Sequence, residues 1–160
     1  MNEAQKELVM ELCVRAVSED DFLEKFGSRL DGQSLSKQLL EESLESECAD
    51  DLDMALTVGF RFGFTAQHVD ALVKLSKVKW HTDHENVVSA IDETRSPLAV
   101  PALFEATQWA PEFGKHVRAL AAKAIRAIGK NWKQGSRRET SMARRIRRAF
   151  LARKGPKAVG

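Results

Sequence analysis

The chain has 160 residues, a length that suits one domain burying roughly 70% of the surface its unfolded form exposes. It is 43% apolar, and no run of about 18 apolar residues occurs, which speaks against a membrane-spanning helix. The net charge of +2 conceals a split: residues 1–114 hold 22 acids and 10 bases, whereas residues 115–160 hold 15 bases and one acid, Glu139.

Such asymmetry points to a charged partner or a basic tail. Strand formers are scarce: Tyr is absent and Val falls on helical faces, so the expected fold class is all-α. The first residues, MNEAQKELVMELC, carry early acids and lack the apolar core of a signal peptide, which predicts a cytoplasmic protein. Cys13 and Cys48 are far apart on helical patterns, and reduced, buried or half-buried thiols are expected.

Residues 3–17 read as an amphipathic helix with Leu8, Val9, Leu12, Cys13 and Ala16 on one side. Ser18 suits an N-cap, with Asp20 and Asp21 in the first turn; Phe22, Leu23 and Phe26 supply the buried side and Gly27 the stop. Asp31-Gly32 signals a turn, and Ser34 starts a helix striped by Leu35, Leu39, Leu40 and Leu44. Its other face holds Glu41, Glu42, Glu45 and Glu47, which suits either a solvated surface or a dock for a basic partner.

Residues 50–59 and 65–78 form a helix pair joined by GFRFGFT, whose three phenylalanines are expected to plug the core from a turn or, where exposed, to anchor a partner. In WHTDHE, His81 and His84 at i, i+3 could hold a divalent metal beside Asp83 and Glu85. The structural alternative has Thr82 or Asp83 capping the next helix while Trp80 and one imidazole pack beneath the preceding pair. The structural reading is preferred and no metal is expected, because His-Glu-x-x-His is absent and no further histidine lies at matching spacing. Val87, Val88 and Ile91 share a helical face; Ser96 caps the following helix, with Pro97 at its first position. Trp109 fits either the core or the binding surface. A helix over 115–129 places Val117, Leu120, Ala121, Ala124, Ile125 and Ile128 inside.

These segments repeat. Ala90-Ile91 overlays Ala124-Ile125 at an offset of 34 and Ala55-Leu56 at 35, while His68–Leu72 precedes Ala99–Leu103 by 31. A period in the low thirties with two helices per unit is the signature of an α-solenoid, whose units share a core none could bury alone. The pattern SPLAVPALFEA followed by RALAAKAIRAIGK resembles the short HEAT-like repeats of bacterial proteins of the phycobilisome-lyase type, over roughly residues 50–130. Phe60-Arg61-Phe62-Gly63-Phe64 departs from a HEAT turn, and no Asp-Pro marks the turns. The resemblance implies an α-α superhelix, right-handed and HEAT-like. Residues 1–130 would form one helical-repeat domain, with N-terminal helices over 3–47 and repeat pairs over 50–130.

From residue 131 the chain turns basic. Ser136-Arg137-Arg138-Glu139 forms a capping box, and the helix it opens carries Met142, Ile146, Ala149 and Phe150 on one side. Arg144, Arg145, Arg147, Arg148 and Arg153 cover the rest. Three arrangements suit this helix: a terminal cap, a return onto the acidic surface of residues 41–53, or contact with nucleic acid or another anion. No aromatics interleave the arginines, which disfavours specific single-strand recognition.

Neither a Gly-x-Ser-x-Gly elbow nor a Gly-rich phosphate loop is present, so no enzyme and no cofactor is expected. The resemblance implies a protein that binds another macromolecule. Small helical-repeat proteins of this kind are similar to immunity-type inhibitors, which implies occlusion of a toxin's active site. The partner-facing residues would be Glu41, Glu42, Glu45, Asp92, Glu93 and Trp109. The competing expectation is nucleic-acid binding through Arg144, Arg145, Arg147 and Arg148.

Overall fold

The computed structural model describes residues 1–107 and 123–129, and every regular element among them is helical. Chemistry at the helix ends sets most boundaries. At α1 (Glu3–Cys13), Asn2 Oδ1 accepts the Gln5 N–H at 2.9 Å while Gln5 Oε1 accepts the Asn2 N–H at 3.0 Å. This helix stops sooner than its apolar spacing predicts. Arg15 takes a left-handed φ of 61°, the chain turns, and Cys13 and Ala16 are exposed instead of buried. Cys48 is half-buried, and neither thiol is bonded.

α2 (Glu19–Phe26) begins and ends as expected, with Ser18 capping Asp21 and Gly27 closing the helix at φ 74°. α3 (Gly32–Ser46) starts two residues ahead of the expected Ser34, because Asp31 is the cap and accepts the Ser34 N–H at 2.9 Å. Leu35, Leu39 and Leu40 are buried along it, and Leu44 is half-buried.

α4 (Ala49–Phe62) runs through most of GFRFGFT, so the expected turn there is mainly helix. Glycine normally weakens a helix by up to about 1 kcal/mol, but here ring packing requires it. A Cβ on Gly59 would lie 2.2 Å from Phe64 Cζ, and one on Gly32 would lie 2.1 Å from Phe62 Cδ1. Phe64 and Phe62 therefore press directly onto helix backbone. Phe60 stays 41% exposed, so two of the three phenylalanines pack inward.

Beyond α4 the chain repeats one build. A 3-10 turn, Ala66–His68, leads into α5 (Val69–Leu75); a second, Pro97–Ala99, leads into α7 (Val100–Ala106). Thr65 and Ser96 occupy the cap positions, and Ser96 Oγ accepts the Leu98 N–H at 3.3 Å. His68, Val69, Ala71 and Leu72 are buried in the first copy; Ala99, Val100, Ala102 and Leu103, 31 positions on, are buried in the second.

The partner helices correspond too. Leu52, Ala55 and Leu56 of α4 are buried, as are Val87, Ala90 and Ile91 of α6 (His84–Thr94), 35 positions later. In the helical segment 123–129 the buried residues are Ala124, Ala127 and Ile128, 37 positions beyond those of α6. Ile125 is 38% exposed, which corrects the expected overlay at 34. The segment is rotated so that Ala127-Ile128, and not Ala124-Ile125, takes the place of Ala90-Ile91.

Packing follows alternate helices. α3 lies along α4 and α5 along α6; α5 also packs on α3, α6 on α4, and the Pro97–Ala99 turn on α5. Lys123 Nζ donates to the Glu85 carbonyl of α6 at 3.3 Å and lies 3.6 Å from its carboxylate. The helices thus stand in two rows. One row is α3, α5 and the 97–99 turn; the other is α4, α6 and 123–129. Each buried Leu or Ile between the rows contributes roughly 1.5–3 kcal/mol. α1 packs on α4 and carries α2. Asp51 of α4 accepts from the Met1 amino group at 2.7 Å and from Lys6 at 3.1 Å, and Arg61 reaches Glu19 of α2 at 3.0 Å.

Among the described residues no helix is long and apolar enough to cross a membrane. Trp109, Val117, Leu120, Trp132 and the basic C-terminal helix with Arg144, Arg145, Arg147, Arg148 and Arg153 lie outside the described residues.

Candidate functional site

The predicted acidic residues occupy two places. Glu41, Glu42 and Glu45 are exposed on α3. Lys37 Nζ donates to Glu41 at 2.7 Å and Gln38 Nε2 to Glu42 at 2.6 Å, each across one helical turn. An exposed pair of this kind contributes little, a few tenths of a kcal/mol, and leaves the carboxylates accessible. Further exposed acids follow in the chain after α3, at Glu47, Asp50 and Asp53. The Asp53 carboxyl is pushed above its ordinary value by desolvation first, then by repulsion from Asp83 and Asp50. Crowding of like charges here favours any arriving cation.

Asp92 and Glu93 are elsewhere. They line a cleft of about 370 Å³ in the other row, together with Ser89 and Arg95 of the α6 end, Phe60 of α4, and Lys123 and Arg126. Arg95 closes α6 in a left-handed conformation, φ 52°, and its Nη1 lies 4.0 Å from Asp92. The cleft combines one exposed ring with both signs of charge. Among the described residues, sequence reasoning finds its two acids, offers Phe60 as an anchor if exposed, and misses Ser89, Arg95, Lys123 and Arg126. These converge only because α4, α6 and 123–129 stack side by side. The structure therefore divides the predicted partner-binding set between α3 and the α6 cleft.

The histidines resolve on hydrogen-bond grounds. His68 is wholly buried; its Nδ1 accepts the Thr65 N–H at 3.0 Å, so Nε2 carries the proton and donates to the Gln33 carbonyl at 3.0 Å. Ser36 Oγ lies 2.9 Å from Nε2 and donates to the same Gln33 carbonyl at 2.9 Å. A serine–histidine pair resembles a nucleophile and its base. This one is sealed, and its lone pair is taken by the Thr65 N–H and faces away from the Ser36 hydroxyl, so it lacks the arrangement that nucleophile activation needs. It ties α3 to the start of α5.

His81 uses the same logic. Its Nδ1 accepts the Asp83 N–H at 3.1 Å and its Nε2–H donates to the Leu75 carbonyl at 2.9 Å. With one lone pair occupied and the other nitrogen protonated, His81 has nothing to offer a metal. Among the described residues no group of three or more potential ligands comes together. His84 lies against it, ring centroids 4.4 Å apart, and Trp80 meets His81 edge-on at 4.8 Å. Both imidazoles pack, where one was expected, and Asp83 holds the cap position without a side-chain bond. Burial lowers the pKa of His68 and His81; burial and then the His81 ring push His84 down to about 4.

Comparison with protein-family models, with curated proteins and with solved structures returned no match, so function is read from these surfaces alone.

Proposed function

We propose that this protein is a cytoplasmic protein-binding module, acting by occupation of a partner's surface rather than by catalysis. The observation that carries this is the exposed acids Glu41, Glu42 and Glu45 of α3, in a stretch, residues 1–107, that holds 21 acids and 10 bases. Complementary charge would speed encounter and exclude acidic competitors. The two-row stacking supports continuation into a HEAT-like, right-handed superhelix, a scaffold that offers broad faces of this type. The narrower form of the proposal is an immunity-type inhibitor, in which Glu41, Glu42 and Glu45 cover a basic active-site rim of a toxin. That step rests on analogy of fold.

The test is affinity capture from the native host, with the parent chain and with Glu41→Lys, Glu42→Lys and Glu45→Lys combined. A basic protein is expected with the parent, released by moderate salt and lost with the triple variant. Capture that ignores the reversal overturns the acidic-face reading. The strongly basic composition of residues 115–160 supports a second reading, nucleic-acid binding through Arg144, Arg145, Arg147 and Arg148. Retention on heparin at low salt that disappears when these four become Ala supports it; absence of retention dismisses it.

A further inference from the structure

We propose that the His81–His84 pair is an acid-sensitive latch at the joint between the two helical units, which releases α6 from the end of α5 when the pair takes up a proton. The joint is residues 76–83, between α5 and α6. His81 spans it, donating from Nε2 to the carbonyl of Leu75, the last residue of α5, and accepting at Nδ1 from the amide of Asp83, which precedes α6. That amide is one of the orphan donors of a helix start, and Asp83 supplies no side-chain cap of its own. A proton on Nδ1 turns this acceptor into a donor facing the same N–H, so the bond to α6 is lost.

His84 makes the response steep. It is the first residue of α6, and its ring stands 4.4 Å from that of His81 with both buried. Two imidazolium rings at this distance in a dry setting repel, so the packed pair resists a second proton that the opened pair accepts. Among the described residues, the charges acting on the pair include the two rings themselves and Asp83, which favours a charged His81. Asp53 of α4 acts on Asp83 in turn. On the other side of the joint, Lys77 is held by Glu105 of α7 at 2.8 Å. α3 and α4 pack on each other and neither carries a ring of the pair, so the expected release is local to the joint.

The experiment is amide hydrogen exchange on the full chain at pH 7.5 and pH 5, corrected for the intrinsic exchange rate. With His84 held near 4 when latched and about 6.5 when open, opening over residues 81–94 is favoured roughly 30-fold more at pH 5. The expected result is that loss of protection in α6, with α3 and α4 changed far less. His84→Phe keeps an aromatic ring without the titrating nitrogen, and His81→Gln keeps a donor for Leu75; each should flatten the acid response in chains that fold at pH 7.5. An equal loss across α3 and α6, no loss in α6, or an undiminished acid response in a folded variant overturns the proposal. Should neither variant fold, the ring-proton titration of the parent decides: midpoints at the ordinary histidine value for both rings overturn it.

Discussion

Replacing Gly59 by Ala is the sharpest probe of how α4 is built. In an exposed helix the change stabilises by up to about 1 kcal/mol, because Ala loses less backbone freedom than Gly. At Gly59 the new Cβ would sit 2.2 Å from Phe64 Cζ. The Phe64 ring is not free to swing aside. It is 5% exposed, and it meets Phe60 edge-on at 5.1 Å and His68 edge-on at 5.4 Å. Forcing it to move is overpacking, at about 1–3 kcal/mol, so the net expectation is a loss of about 1–2 kcal/mol. For a chain of this size that lowers the melting temperature by roughly 3–6 °C. The decisive assay is a double-mutant cycle followed by urea unfolding. Phe64→Ala alone opens a cavity and costs about 3–5 kcal/mol. In that background the Gly59→Ala methyl enters vacated space, and its effect should become neutral or stabilising. The reasoning fails if Gly59→Ala stabilises the parent chain, or if it costs the same with and without the ring.

Gly32→Ala meets the Phe62 ring in the same way, with 2.1 Å between the added Cβ and Cδ1; a cost of about 1–3 kcal/mol in urea unfolding is expected. His68→Leu leaves the half-buried Thr65 N–H without its acceptor and takes one of two side-chain donors from the Gln33 carbonyl, and should cost about 1–3 kcal/mol in the same assay. His68, His81 and His84 all have folded pKa values below the ordinary value of 6.5, so the unfolded chain binds more protons than the native one as pH falls below 6.5. Stability is therefore expected to decline on acidification through that window. Urea midpoints at pH 7.5 and pH 5 should show it, and the His84→Phe variant should show a shallower slope. Asp51 behaves differently: its hydrogen bond from the Met1 amino group holds the carboxyl below its ordinary value, so its contribution is present above about 4 and lost as pH falls further. Asp51→Asn should remove about 1 kcal/mol at neutral pH and leave less to lose in acid, read by the same unfolding curves.

Local chemistry was legible in the sequence and tertiary choice was not. Ser18, Gly27 and Ser96-Pro97 mark helix ends through bonds made within a few residues, and the structure places those ends where the sequence does. Ala124-Ile125 misled because the stretch RALAAKAIRAIG presents small apolar groups on several faces, so spacing alone selects none. In the structure Ala127 and Ile128 are the buried pair. Gly59 and Gly63 announced a turn by propensity, whereas the approach of Phe64 to the backbone explains Gly59 inside a helix. The acids of α3 were visible as a solvated stripe. The role of His81 was not, since what decides it is the carbonyl of Leu75 and the amide of Asp83, neither of which has a signature in side-chain type.

The cleft beside α6 follows from an inequality between the repeats. The first-row copies are 31 positions apart, but Leu52-Ala55-Leu56 and Val87-Ala90-Ile91 are 35 apart, leaving four residues to place. Three belong to α4, which has 14 residues against 11 in α6. The fourth is in the connection, Gly63-Phe64 before Thr65 against Arg95 alone before Ser96. With their buried triplets aligned, α4 overhangs the C-terminal end of α6 by roughly 4.5 Å at 1.5 Å per residue. The overhang holds Phe60, and Arg95 lies where α6 stops, so the step between helices of unequal length forms a wall of the cleft. Shortening α4 by one turn would bring the periods together and remove that wall, while the acidic face of α3 would keep its place. The two surfaces are therefore separable by sequence change, and a partner's dependence on each can be measured independently.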